Sequence, residues 1–105
     1  MQRLCFSFNI KPGSFDEYKK RHDEIWPDLV AELKAAGLSN YSLFADTDER
    51  IIGYVECEPD ADTSFAFLAT ADANRRWSEW FSDIILSDGA VQGDDHTLRE
   101  VWHLA

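Results

Sequence analysis

Arg3-Leu4-Cys5-Phe6-Ser7-Phe8-Asn9-Ile10 is the stretch on which the fold turns. Leu4, Phe6, Phe8 and Ile10 fall on one face and Cys5, Ser7 and Asn9 on the other, the two-residue period of a half-buried strand. Lys11-Pro12-Gly13 ends it. Ser14 then opens a helix: Ser14 and Glu17 have the spacing of a capping box, and Asp16 adds negative charge to the first turn. Phe15, Tyr18, Ile25, Trp26, Leu29, Val30 and Leu33 follow at helical intervals, and Gly37 is a C-terminal stop. His22 stands in the same row, four residues after Tyr18 and four before Trp26. Pro27 interrupts the run, since it has no N–H for the carbonyl of Asp23 and its ring crowds that turn, at a cost of roughly 3 kcal/mol inside a helix. The helix is therefore expected to bend or break between Asp23 and Trp26. A break one turn from an inward-facing histidine is either the local irregularity of a functional site or a kink that fits the helix to its sheet.

Outward from this strand and helix, Ser39 to Ala45 and Arg50 to Cys57 are rich in aromatic and β-branched residues, and Asp46 to Glu49 turns one into the other as an antiparallel hairpin. Asp60 to Thr70 reads as a short helix or loop. Asp72 to Ile85 reads as a second main helix with Trp77, Trp80, Phe81, Ile84 and Ile85 on one face. A Gly- and Asp-containing loop over Ser87 to Asp95 leads to a last strand over His96 to Leu104. The order β-α-β-β-α-β predicts an α+β, ferredoxin-like fold, an antiparallel sheet with helices on one face. The strands are not polar on either side, and Leu98, Trp102 and Leu104 alternate against Val101 in the last one. A second copy packing sheet to sheet would cover the free face, so a homodimer is expected.

The length of 105 residues suits one domain, expected over 1–105. Twenty acidic against ten basic side chains leave a net charge of −10, which argues against nucleic acid or an anionic membrane as partner, since both carry the same sign. A highly phosphorylated substrate is disfavoured for the same reason, and a small neutral molecule is not. Cys5 and Cys57 sit in apolar strand-like runs without CxxC or metal spacing, and are expected as plain buried thiols. Met1-Gln2-Arg3-Leu4 lacks a signal-peptide hydrophobic region and no apolar run approaches a membrane span, so a cytoplasmic protein is expected.

The chemistry-bearing groups are few. There is no GxSxG, no cysteine nucleophile beside a base and no glycine-rich phosphate loop. His96 lies in a polar approach to the last strand, and His103 is pocket or surface. His22, on the apolar row, is either a satisfied core residue or a proton carrier, histidine being the side chain best suited to exchange a proton near neutral pH.

Glu17-Tyr18-Lys19-Lys20-Arg21-His22-Asp23-Glu24-Ile25-Trp26-Pro27-Asp28-Leu29 closely resembles the signature of the L-rhamnose mutarotase family. Asn40-Tyr41, Arg76-Trp77 and Leu98-Arg99-Glu100-Val101-Trp102-His103-Leu104 follow in the family's order, so the resemblance covers essentially the whole chain. Its most specific part is the Tyr-x-x-x-His-x-x-x-Trp-Pro block. The resemblance implies a dimeric α+β barrel that interconverts the α and β anomers of a 6-deoxy hexose, a small neutral monosaccharide, with no metal and no cofactor. It implies His22 as proton donor and Tyr18, Tyr41 and Trp77 as contacts to the sugar. Tyrosine hydroxyls pair with sugar hydroxyls, and an indole face packs on the apolar side of a pyranose. Tyr41 as a plain strand aromatic and Trp77 as helix-to-sheet packing are the alternatives for those two positions.

One departure bears on the substrate. The family pattern often carries two adjacent tryptophans after the arginine, whereas here Ser78 follows Trp77; Trp80 is the candidate to replace part of the missing ring, although it lies on a different part of the helix surface. The segment after Ile85 also lacks the Pro- and Asn-rich stretch of the family's enzymes best matched to rhamnose. L-rhamnose and L-fucose are both open on this reading. The group accepting the anomeric proton is open too, between His22 through a water, a tyrosine, Asp23 and Glu100. A cofactor-free monooxygenase-like dimeric barrel enzyme, which would want a more apolar pocket, and a non-catalytic sugar-binding module are the competing functions.

Overall fold

The structure, a computed structural model, describes residues 1–86 and 97–105. The strand β1 (Gln2–Asn9) leads into α1 (Phe15–Asp23) and α2 (Pro27–Ala35). The hairpin β2 (Leu38–Thr47) and β3 (Arg50–Cys57) follows, then α3 (Ala61–Ala69), α4 (Asp72–Phe81) and a short β4 (Thr97–Leu98). The strands lie in the order β2-β3-β1-β4, every neighbouring pair antiparallel. That is the ferredoxin-like arrangement expected from the element order. The loop expected over Ser87 to Asp95, the missing Pro- and Asn-rich stretch and His96 lie outside the described residues.

Alternation in β1 sets the layers. Leu4, Phe6 and Phe8 are buried and stand opposite Val55, Gly53 and Ile51 of β3, so one sheet face carries the core. Tyr18, Leu29, Leu68 and Phe81 close the core from the helices. Gly53 is required there: a Cβ at that position would stand 2.2 Å from the Phe6 ring. Cys5 and Cys57 are both free, and Cys57 is buried. Cys5 lies on the face opposite to its buried neighbours Leu4 and Phe6, whereas Cys57 shares the core face with Val55, so no disulfide can join them across the sheet.

The break in the first helix occurs where Pro27 demanded it. The amides of Glu24 and Ile25 still reach the carbonyls of Lys20 and His22, at 3.1 and 3.2 Å. Trp26 is extended, and Pro27 becomes the first residue of α2. At that position a missing N–H costs nothing, because the first-turn amides have no intrahelical partner.

Several boundaries differ from the sequence reading. Ser14 and Glu17 do not form a capping box: the Ser14 hydroxyl turns back to the Lys11 carbonyl, and the Glu17 carboxylate accepts instead from Arg21 Nε at 2.7 Å. A charged donor outcompetes a neutral backbone amide. Helix α4 ends at Phe81 rather than Ile85, and Ile85 pairs with Ile10 as an isolated bridge. Ala71 offers α4 no side-chain cap. The carboxylate of Glu32, on α2, accepts instead from the amides of Ala73 and Asn74 at 2.9 and 2.8 Å. Among the described residues the last strand covers Thr97 and Leu98. Beyond it Val101, Trp102 and Leu104 are exposed rather than alternating in a sheet.

Candidate active site

Tyr18 and His22 come from one face of α1, one turn apart, with ring centroids 4.5 Å apart. Trp77 and Phe81 approach from α4, edge-on to the His22 ring at 5.3 and 5.1 Å. Trp26, released from helical geometry at the break, lies edge-on to Trp77 at 5.1 Å and stacks on Trp80 at 5.5 Å with planes 10° apart. On the sheet side Phe8 packs against Tyr18, and Phe6 lies edge-on to Tyr41 of β2 at 6.3 Å. The histidine thus stands among three tryptophans, three phenylalanines and two tyrosines, in ring contact with Tyr18, Trp77 and Phe81, with Tyr41 joined to the cluster through Phe6.

The hydrogen bonding of His22 fixes its chemistry. Its Nδ1 is 3.0 Å from the carbonyl oxygen of Tyr18. A carbonyl only accepts, so Nδ1 carries a proton, and in the neutral ring the lone pair sits on Nε2. Among the described residues Nε2 has no hydrogen-bond partner. It is not sealed from solvent either, since among the described residues Ser64 Oγ is the one fully enclosed side-chain polar atom lacking a partner. The neutral form is the favoured one. Burial pulls the imidazole below its ordinary pKa of 6.5, outweighing the Tyr18 carbonyl and the charge of Asp23, which act the other way.

Burial pushes both phenols well above their ordinary value of 10, and the nearness of Tyr41 raises Tyr18 further. Both tyrosines are therefore neutral donors throughout the physiological range. Tyr41 is 37 % exposed as a whole residue. Its hydroxyl nevertheless belongs to the desolvated part of the side chain, because burial is the main cause of its shift.

Sequence reasoning passed over Arg21, one of the few buried polar residues. Its Nη1 donates to the Trp80 carbonyl at 3.0 Å and to Asp83 at 3.1 Å, and Nη2 donates to Asp83 at 3.3 Å. Its guanidinium carbon lies 4.4 Å from the Trp80 ring centre. Arg21 ties α1 to the carbonyl end of α4, which holds Phe81 and Trp77 against His22. The signal in sequence was an arginine next to the histidine on a mostly apolar row. Trp26 joins the wall from the break in the helix, and Trp80 takes the place of the missing second ring: it supplies the second indole, one turn after Trp77, while Ser78 is exposed.

Two proposed proton acceptors are engaged elsewhere. Asp23 pairs with Lys19 at 2.8 Å in solvent, and Glu100 forms a two-point pair with Arg3 at 2.7 and 3.1 Å. The latter pair borders a cavity of about 190 Å³ lined by Arg3, Cys5, Leu98, Arg99 and Glu100, away from the aromatic cluster. That cavity has no aromatic wall, and its one carboxylate, Glu100, is already paired with Arg3, so it is not the candidate site. His103 is exposed. Among the described residues no group of histidine, cysteine and carboxylate side chains has the geometry to hold a metal.

Comparison with known proteins bears on what such a cluster is for. A family model described as L-rhamnose mutarotase matches residues 3–104. The chain belongs to the L-rhamnose mutarotase family. It is thereby an isomerase acting on carbohydrates. The L-rhamnose mutarotase of Burkholderia cenocepacia is 36 % identical over 104 residues, covering 99 % of each chain. That of Clostridium beijerinckii is 41 % identical over 86 residues, 81 % of each. The crystal structure of the L-rhamnose mutarotase from Formosa agariphila superimposes over 100 % of both chains with a TM-score of 0.81 at 27 % identity. No described helix is long and apolar enough to cross a membrane.

Proposed function

We propose that the protein interconverts the α and β anomers of a 6-deoxy hexose, L-rhamnose or L-fucose, with His22 as the acid–base group. The observation that carries this is the state of His22: Nδ1 committed to the Tyr18 carbonyl, Nε2 free and unprotonated, inside an aromatic box. Mutarotation moves two protons on two oxygens of one carbon. Neutral Nε2 takes the proton of the anomeric hydroxyl as the C1–O5 bond opens, and the imidazolium returns it to the ring oxygen. The open aldehyde turns about C1–C2, and closure on the other face runs the same transfers in reverse. Because both oxygens are bonded to C1, one nitrogen can serve both, directly or through a water.

Tyr18 and Tyr41, held as neutral phenols, donate to sugar hydroxyls. Trp77 packs on the apolar face of the ring or on its methyl group, and Trp26 with Trp80 extends that wall. A single domain over residues 1–105, cytoplasmic and working as a homodimer, completes the reading. On the outer sheet face Phe44 and Leu98 are 62 % and 43 % exposed, apolar area that a second copy would cover.

The test is proton NMR saturation transfer between the α and β anomeric signals of L-rhamnose and, separately, L-fucose. Catalytic amounts of protein are expected to accelerate exchange, with the faster sugar naming the substrate. Unchanged exchange of both sugars in the presence of folded protein would overturn the proposal.

A further inference from the structure

Tyr41 reaches the cluster only because β2 is irregular just before it. Leu38 and Leu43 both stand opposite core residues of β3, Cys57 and Gly53. They are five positions apart, an odd spacing that a regular strand sends to opposite faces. The parity is reset between Ser39, opposite Glu56, and Ser42, opposite Tyr54: three steps on β2 match two on β3. That is a β-bulge, a device that re-aims side chains.

Asn40 absorbs the extra residue. Its φ of +49° makes it the one non-glycine residue in the left-handed region among those described, a conformation that asparagine tolerates and β-branched residues do not. Its side chain goes to the outer face, where Nδ2 donates to Glu56 Oε1 at 2.8 Å; Tyr54 Oη donates to Glu56 Oε2 at 2.9 Å. Tyr41 consequently turns inward, edge-on to Phe6. In an unbulged strand continuing from Leu38, Tyr41 would share the outer face with Ser39.

We propose that Asn40 is a positioning residue for the sugar site: its left-handed backbone and its bond to Glu56 hold the bulge that turns Tyr41 inward. The proposal rests on the reading above that Tyr41 binds the sugar. Asn40 itself touches no substrate, and its effect passes through Tyr41 alone.

The experiment compares Tyr41→Phe, Asn40→Val, Asn40→Gly, Glu56→Ala and the double variant Asn40→Val/Tyr41→Phe. Sugar affinity is read from tryptophan fluorescence, turnover from saturation transfer, and folding from circular dichroism. Tyr41→Phe, losing one hydrogen bond, is expected to weaken affinity roughly three- to tenfold. Asn40→Val should weaken it at least as much. Asn40→Gly, which keeps the positive φ, should recover most of that loss. The double variant should be no weaker than Asn40→Val alone, the non-additivity of two changes acting through one group. Turnover at saturating sugar should fall far less than affinity. Should Asn40→Val fail to fold, Glu56→Ala carries the test, with an expected loss of about twofold that vanishes in the Tyr41→Phe background. Full affinity in Asn40→Val, or in Glu56→Ala where it stands in, beside a weakened Tyr41→Phe overturns the positioning role and leaves the sugar site standing. So do additive losses. Full affinity in Tyr41→Phe overturns the role of Tyr41 as a sugar contact, and the proposal with it.

Discussion

At the scale of single residues the proposed reaction turns on one nitrogen. His22 has Nδ1 spoken for and Nε2 free, and the box around it keeps the ring neutral at pH 7. Replacing His22 with Ala is expected to leave the circular dichroism spectrum unchanged and to cut anomer exchange by about two to four orders of magnitude. Near-normal exchange would make His22 a core residue. The pH profile should carry the same signature. Turnover per bound sugar is expected to be level near pH 7–8 and to fall on acidification through a pKa below 6.5 as Nε2 gains its proton. A rate that rises on acidification would assign the active form to the imidazolium instead.

Stability should follow the same group. With its folded pKa depressed, the unfolded chain binds a proton at His22 at a higher pH than the folded chain does. The His22 contribution is thus fully present above about pH 6.5, the unfolded value, and is lost as pH falls through the folded value. Chemical denaturation at stepped pH should show this decline in the wild type and lack that component in His22→Ala.

At the scale of elements, the site depends on how α1, α2 and α4 are fastened. Pro27 ends α1 one turn after His22 and frees Trp26 to stack on Trp80. Arg21 binds α1 to the end of α4. Glu32 fastens the other end, supplying from α2 the cap that Ala71 cannot. Glu32→Ala is expected to destabilise the fold by about 1–2 kcal/mol, the worth of a lost helix cap. Amide exchange should quicken first at Ala73 and Asn74, and protection unchanged at those two amides would refute the capping role. The break at Pro27 was legible because proline's missing N–H is a local fact. The Glu32 cap was not, because its donors lie more than forty residues away.

Across the whole molecule, the sheet is covered by helices on one side and carries apolar side chains on the other. Phe44, paired with Ile52 on β3, is 62 % exposed there. A charge placed in the middle of a dimer interface is expected to split it, since burying an unpaired carboxylate is costly. Phe44→Glu should therefore convert a dimer of the wild-type chain into a monomer by light scattering, with the secondary structure retained. A monomeric wild type at micromolar concentration would remove the homodimer from the proposed function.

Alternation in β1, the hairpin of β2 and β3, the helical row through Tyr18 and His22 and the break at Pro27 followed from the chain alone. Each rests on interactions between residues a few positions apart, where side-chain period and backbone chemistry decide. The Tyr-x-x-x-His-x-x-x-Trp-Pro block pointed to the reaction only through the family it resembles; what local spacing decided is that one helical face and its terminus present those groups together. Tertiary structure decided the rest. Glu17 paired with Arg21 instead of capping its helix, and Arg21 became the fastener of α4 because Asp83 and the Trp80 carbonyl were brought to it. Trp80 joined Trp26 through a contact between elements remote in sequence. Ile85 left its helix to pair with Ile10, and the inward turn of Tyr41 depended on a register set by a neighbouring strand. Periodicity tells which way a side chain points along its own element, but which group waits on the other side is fixed only when distant segments pack.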